Sequence, residues 1–186
     1  MKLDPKKTAI IVVDMLNDFV REKGRLVVPK ATDLLFNQSR LLEMARHLGL
    51  RVMYLADNHE PDDDEFGKWP AHAVVGTWGS EIVDELKPEQ SSEVIPKRRY
   101  SGFFGTDLDL RLREKGIVTM ILVGVLTDIC VMYTSADASA RGYNVIVITD
   151  ATASTSEENH LFALEHMRSV HGTTLLTTEE AIEALE

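Results

Sequence analysis

Cys130 is the only cysteine in the chain, so it has no internal disulfide partner and its sulfur is free for other chemistry. A thiolate attacks electrophilic carbon, and a helix N-terminus or a nearby cation favours that anion by lowering the thiol pKa. Asp14 could take the thiol proton and return one to a leaving group, while Lys97 could hold the charged partners together. A second set, Asp57-x-His59 and the later His72, offers one carboxylate and two imidazoles. That donor mixture suits zinc or another divalent transition metal, with positions left open for water or substrate. Each residue also has an ordinary reading when taken alone. A lone cysteine after an apolar strand is usually a small buried hydrophobe, Asp14 could cap a helix, and Lys97 could be a solvated loop cation. Where the chain must place them decides between the two.

Short β-branched runs at 8–14, 50–55, 93–96, 117–124, 143–149 and 173–176 alternate with longer helix-compatible stretches, the pattern of βαβ units around a parallel sheet. Residues 9–13 and 117–123 are almost wholly apolar, as central strands covered on both faces must be. A first long helix is expected from Thr32 and Asp33 to Gly49, with Leu34, Leu35, Leu41, Leu42 and Ala45 on one face. Thr106 and Asp109 are spaced as a capping box before a helix ending at Gly116, although Leu108, Leu110 and Leu112 alternate as a strand would. Further helices are expected over 128–141, 158–170 and 178–185. The stretch 57–79 has no convincing period and reads as a long loop, a common location for functional residues. In an open parallel sheet, ligands bind beyond the carboxyl ends of the strands. Asp14 closes the first strand, Lys97 follows the third, and Cys130 lies in the opening turn of the helix after the fourth, so all three are expected on one rim.

Composition narrows the function classes. The 186 residues are 44% hydrophobic and 27% charged, a globular balance on the scale of one domain, 1–186, without repeats or low-complexity linkers. A formal charge of -10 repels phosphate backbones and anionic headgroups, so neither nucleic acid nor a membrane is expected as a partner. The longest apolar run is far below the roughly 20 residues that span a bilayer, and no signal-peptide core is visible, which leads to a cytoplasmic expectation. A non-catalytic nucleotide or flavin binding module of α/β type is disfavoured. No G-x-G-x-x-G follows the first strand, and no G-x-x-x-x-G-K-[ST] occurs.

Asp14 in DMLNDF, Lys97 in KRRYSGF with the following FGTDL, and Cys130 in GVLTDICV resemble the motifs of the isochorismatase-like cysteine hydrolase superfamily, with WPAHAVVGTWGSE between the first two. The order matches, and the resemblance covers nearly the whole chain. It implies a three-layer, doubly wound, Rossmann-like α/β fold with six parallel strands in the order 3-2-1-4-5-6 and helices on both faces. It also implies an Asp14, Lys97, Cys130 triad. A cis peptide between Val125 and Leu126 is implied as well, turning the backbone amides of Leu126 and Cys130 toward a substrate carbonyl as an oxyanion hole.

In the nicotinamidase branch, residues matching Asp57, His59 and His72 bind a metal that holds the pyridine nitrogen, and Glu65 resembles a further ligand of some members. Phe19 and Trp69 match the aromatic residues that sandwich the ring, and Tyr100 belongs to the same pocket. The resemblance thus implies hydrolysis of a small-molecule amide with release of ammonia, a divalent metal, expected to be zinc, and a homodimer or homotetramer. Three features depart from the nicotinamidase pattern: a short segment from Lys97 to Tyr100, Ala73 where cysteine is frequent, and Leu126 where alanine is common. An amidase of the N-carbamoylsarcosine or ureidoacrylate type on the same triad is the alternative. Vinyl-ether cleavage by a true isochorismatase is disfavoured, because those enzymes lack a cysteine at the position of Cys130.

Overall fold

A computed structural model describes all residues, 1–186. Six strands form one sheet: β1 (Thr8–Val13), β2 (Arg51–Asp57), β3 (Glu93–Lys97), β4 (Thr119–Val125), β5 (Asn144–Ala153) and β6 (Thr174–Leu176). Every pairing is parallel, and the order is β3-β2-β1-β4-β5-β6, as the resemblance implies. The helices are α1 (Asn17–Val20), α2 (Leu34–Leu48), α3 (Leu108–Glu114), α4 (Met132–Ala140), α5 (Glu157–His166) and α6 (Thr178–Leu185).

Alternation along the strands sorts the core into two layers. Ile10, Val12, Ile121, Val123 and Ile146 pack with Leu41, Leu42 and Ala45 of α2 and Ala181 and Leu185 of α6. Ala9, Ile11, Val13, Met120, Leu122 and Val147 pack with Leu108 and Leu112 of α3, Ala138 of α4 and Ala163 of α5. All six residues of β1 are buried, which explains its unbroken apolar run. Gly49, at φ 69°, ends α2 in the left-handed conformation, and Thr177 with Glu180 forms a capping box at α6.

Several sequence expectations are corrected. The Thr106–Asp109 capping box does not form, because Asp107 rather than Thr106 occupies the N-cap; the Thr106 hydroxyl donates to the Gly102 carbonyl at 2.5 Å and accepts from the Leu108 N–H at 3.3 Å. The helix begins at Leu108, burying Leu108 and Leu112 and exposing Leu110, so the helical period prevails over the alternation. The helix expected over 128–141 opens with a π-helical turn, Thr127–Val131, before α4. β5 runs on to Ala153 past a register shift opposite Leu122 and Gly124. Lys97 is the last residue of β3 rather than a loop residue.

The topology fixes the rim. Strand order reverses between β1 and β4, and the crevice beyond their carboxyl ends receives Asp14 and the Thr127–Val131 turn. Gly124, at φ 114°, makes that approach possible, since a Cβ there would stand 2.0 Å from the Val13 carbonyl oxygen.

Candidate active site

Lys97 lies on the edge strand β3, two strand spacings or roughly 10 Å from β1. Only a long side chain spans that gap. It passes Asp57, its register partner on β2, and its side chain has 0% exposure. The ammonium donates to Asp57 Oδ1 at 2.6 Å, pairs with Asp14 Oδ2 at 2.8 Å, and reaches Cys130 Sγ at 3.5 Å and the Arg99 carbonyl at 3.3 Å. Asp14, at φ 50°, accepts the Asp57 backbone N–H on Oδ1 at 2.8 Å. The three residues expected on one rim therefore meet in one buried cluster. Asp14 caps no helix, and Lys97 is not a solvated cation.

The electrostatics differ from expectation at the sulfur. Burial pushes the Cys130 thiol well above its ordinary value; Lys97 opposes this, but Asp14 and Asp57 add to the rise. The resting group is a thiol, not the depressed-pKa thiolate that a helix end and a cation suggest. Burial and the field of Asp57 raise the Asp14 carboxyl to about 6, with Lys97 pulling the other way. Burial works to discharge Lys97 and Asp57, yet Asp14 and Asp57 outweigh it at Lys97, and Lys97 with His59 outweighs it at Asp57, so both stay ionised. The cluster can thus pass a proton from sulfur to Asp14 as the sulfur bonds to carbon, with Lys97 holding both acceptor and sulfur in place.

Cys130 is presented by the Thr127–Val131 turn. The Leu126 carbonyl accepts from the N–H groups of Ile129 and Val131, both at 3.1 Å. The turn is tied to its surroundings by Thr127 Oγ1, 2.9 Å from His160 Nδ1, and by Asp128, whose Oδ1 accepts from Ser154 Oγ at 2.5 Å. The Val125–Leu126 peptide is cis.

Asp57, His59 and His72 converge, their ligand atoms lying within 4.8 Å of one another. His59 Nε2 and His72 Nε2 stand 3.6 Å and 3.9 Å from Asp57 Oδ2. Each ring is oriented through its other nitrogen, 3.1 Å from Asp63 Oδ2 for His59 and 2.7 Å from the Pro70 carbonyl for His72. His59 Nε2 is buried with no hydrogen-bond partner, a state a metal ion would resolve. Burial opposes charge on His59, but Asp57 and Asp63 outweigh it and raise its pKa. One carboxylate and two oriented imidazoles fit a divalent transition metal. Glu65 stands outside that convergent set, although it lines the adjoining cavity and lies 3.7 Å from Arg99.

The cavity joins the two sets, since Asp14, Asp57, His72 and Cys130 all line it. Its remaining wall is mainly apolar: Phe19, Leu26, Trp69, Tyr100, Val125, Leu126 and Ile129. Phe19 packs edge-on against His72 with centroids 5.4 Å apart, and Trp69 Nε1 donates to the Tyr100 hydroxyl at 3.0 Å. All of the pocket residues expected from sequence are therefore brought together.

Sequence reasoning missed two supporting acids. Asp18 is buried and accepts from the N–H groups of Ala73, at 2.8 Å, and Arg25, at 3.0 Å, pinning the loop beside His72. Asp63 is buried behind His59. Acidic loop residues look solvated in a sequence, and only Asp18's place within DMLNDF offered a signal.

The chain is similar to known proteins over most of its length. The isochorismatase domain profile matches residues 8–180. An isochorismatase-like hydrolase structure from Alkaliphilus metalliredigens is 41% identical with a TM-score of 0.93, covering 97% of this chain and 100% of that one. N-carbamoylsarcosine amidase from Thermoplasma acidophilum is 40% identical with a TM-score of 0.86, over 93% and 97%. Pyrazinamidase of Pyrococcus horikoshii, solved in complex with zinc, is 31% identical with a TM-score of 0.87, over 92% and 99%. A curated relative, ureidoacrylate amidohydrolase of Agrobacterium fabrum, is 32% identical over 81% of this chain and 77% of its own length.

Proposed function

The chain belongs to the isochorismatase family of hydrolases, and from that premise we propose that it is an amidohydrolase of the nicotinamidase type, releasing ammonia from a small carboxamide through an acyl-thioester on Cys130. One observation carries this reading: Asp14 and Cys130, both held by the buried Lys97 ammonium, line the same narrow, largely apolar cavity as the Asp57 and His72 donors.

The substrate carboxamide lies over Cys130 with its ring between Phe19 and Trp69. Sulfur attacks the carbonyl carbon as its proton passes to Asp14, and the developing oxyanion takes hydrogen bonds from the backbone amides of Leu126 and Cys130. Asp14 returns the proton to nitrogen, and ammonia departs. Water then attacks the thioester with Asp14 as base, giving the free acid and the original thiol. Lys97 stays protonated throughout and keeps Asp14 and the sulfur in place. Asp57, His59 and His72 would hold a divalent ion, zinc by its donor set, which when bound supplies a Lewis-acidic anchor for a substrate heteroatom.

A second reading, an N-carbamoylsarcosine or ureidoacrylate type amidase on the same triad, is favoured by the 40% identity to the Thermoplasma amidase. Ammonia release from nicotinamide, pyrazinamide, N-carbamoylsarcosine and ureidoacrylate, with metal content measured on the same sample, separates the two. Turnover confined to the last two substrates would refute the nicotinamidase form.

A further inference from the structure

Asp63 belongs to a run of four acids, 62–65, yet its side chain has 0% exposure. Four donors converge on it. Oδ2 lies 3.1 Å from His59 Nδ1 and accepts from Arg98 Nε at 2.9 Å, while Oδ1 accepts from Arg99 Nη1 and the Glu65 N–H, both at 3.1 Å. His59 sits in the loop after β2, whereas the two arginines directly follow Lys97, whose ammonium donates to the Arg99 carbonyl. Asp63 therefore joins the loop of one donor set to the strand end of the other.

An imidazole binds a metal through an unprotonated nitrogen, so its second nitrogen carries the proton. A carboxylate accepting that proton sets the ring's orientation and raises its basicity. His59 matches this arrangement, because Nδ1 faces Asp63 and Nε2 faces Asp57 with no hydrogen-bond partner of its own. We propose that Asp63 is a positioning residue of the metal site: it fixes the His59 tautomer that aims a lone pair at Asp57 and His72, and through Arg98 and Arg99 it locks that ring to the strand end carrying Lys97. The inference rests on the metal-binding reading above and assigns it a residue outside the ligand set.

The test is zinc affinity of the full chain by competition with a chromogenic chelator, with melting temperatures of the metal-free proteins recorded in parallel. Asp63→Ala removes the acceptor, Asp63→Asn keeps the size and loses the charge, and Arg98→Ala removes one outer tie while leaving the His59 contact. Zinc binding is expected to weaken about 10- to 100-fold in Asp63→Ala. A smaller loss is expected in Asp63→Asn, and less than about 3-fold in Arg98→Ala, which does not touch the imidazole. A residue that merely braces the loop would lower the metal-free melting temperature of all three variants and leave zinc affinity of the folded protein unchanged, and that result overturns the proposal. Should Asp63→Ala not fold, Asp63→Asn decides by the same criterion. Wild-type protein that takes up no zinc overturns the metal reading and this inference together, whereas wild-type binding with unchanged variants overturns only the role of Asp63.

Discussion

Replacing Lys97 by methionine removes the ammonium while keeping most of the stem. In the native protein the charge is 2.6 Å from Asp57 Oδ1 and 2.8 Å from Asp14 Oδ2, and the three side chains are 0%, 6% and 1% exposed. Water cannot replace the lost partner, so the substitution leaves two buried carboxylates facing each other. Breaking a buried ion pair by removing one partner costs about 3 to 5 kcal/mol, and with two partners stranded the upper end applies. At a slope of about 2 kcal/mol per molar urea, that is a midpoint shift of about 2.5 M. Urea unfolding in the presence of a chelator, so that bound metal does not contribute, measures it directly. The cause can be isolated by adding Asp14→Asn, which removes one stranded charge. The double variant should recover at least about 1 kcal/mol relative to Lys97→Met, a coupling a double-mutant cycle reports. Turnover should fall by about 100-fold or more in Lys97→Met, because Asp14 and the sulfur lose their common anchor. A Lys97→Met protein within about 1 kcal/mol of wild type, or one that Asp14→Asn fails to stabilise, would refute the electrostatic account of this cluster.

Other outcomes follow from the same geometry. Cys130→Ala should fold normally and lose hydrolysis entirely, and mass spectrometry with a slow substrate should find the acyl adduct on wild type alone; residual turnover would exclude covalent catalysis through this sulfur. His72→Ala should lose bound metal and most amidase activity together, and unchanged metal content with unchanged activity would remove the nicotinamidase form of the mechanism. Leu126→Ala enlarges the cavity wall next to Cys130 and should raise kcat/KM for bulkier carboxamides relative to small ones, which a substrate series checks. Gly124→Ala combines a left-handed φ with a Cβ 2.0 Å from the Val13 oxygen, so it should destabilise by at least about 2 kcal/mol in thermal or urea unfolding.

Much of this molecule was legible in its sequence because the signals are local. The apolar runs of β1 and β4, the period of α2 and the turn residue Gly49 act over a few residues and needed no partners to be read. Asp14, Lys97 and Cys130 were legible through the sheet rule that sends ligands to the carboxyl ends of strands, and the D-x-H spacing through the donor chemistry of its side chains. The Thr106 region misled because the first residue of the helix, one position later than a Thr106 cap requires, depends on how the preceding turn folds. Asp63 was invisible for a related reason: nothing in a run of acids tells which one is buried.

The sequence by itself determined the alternation of strands and helices, the layered class of fold and the identity of the groups that carry the chemistry. Tertiary structure alone decided their protonation and their reach. Desolvation at the floor of the cavity keeps the Cys130 sulfur a thiol and raises Asp14 toward neutrality, and strand order places Lys97 two strands away so that its full length is needed to touch both acids. Burial and strand order are properties of how distant segments pack, and the free energy of a charge depends on that packing rather than on its neighbours in the chain.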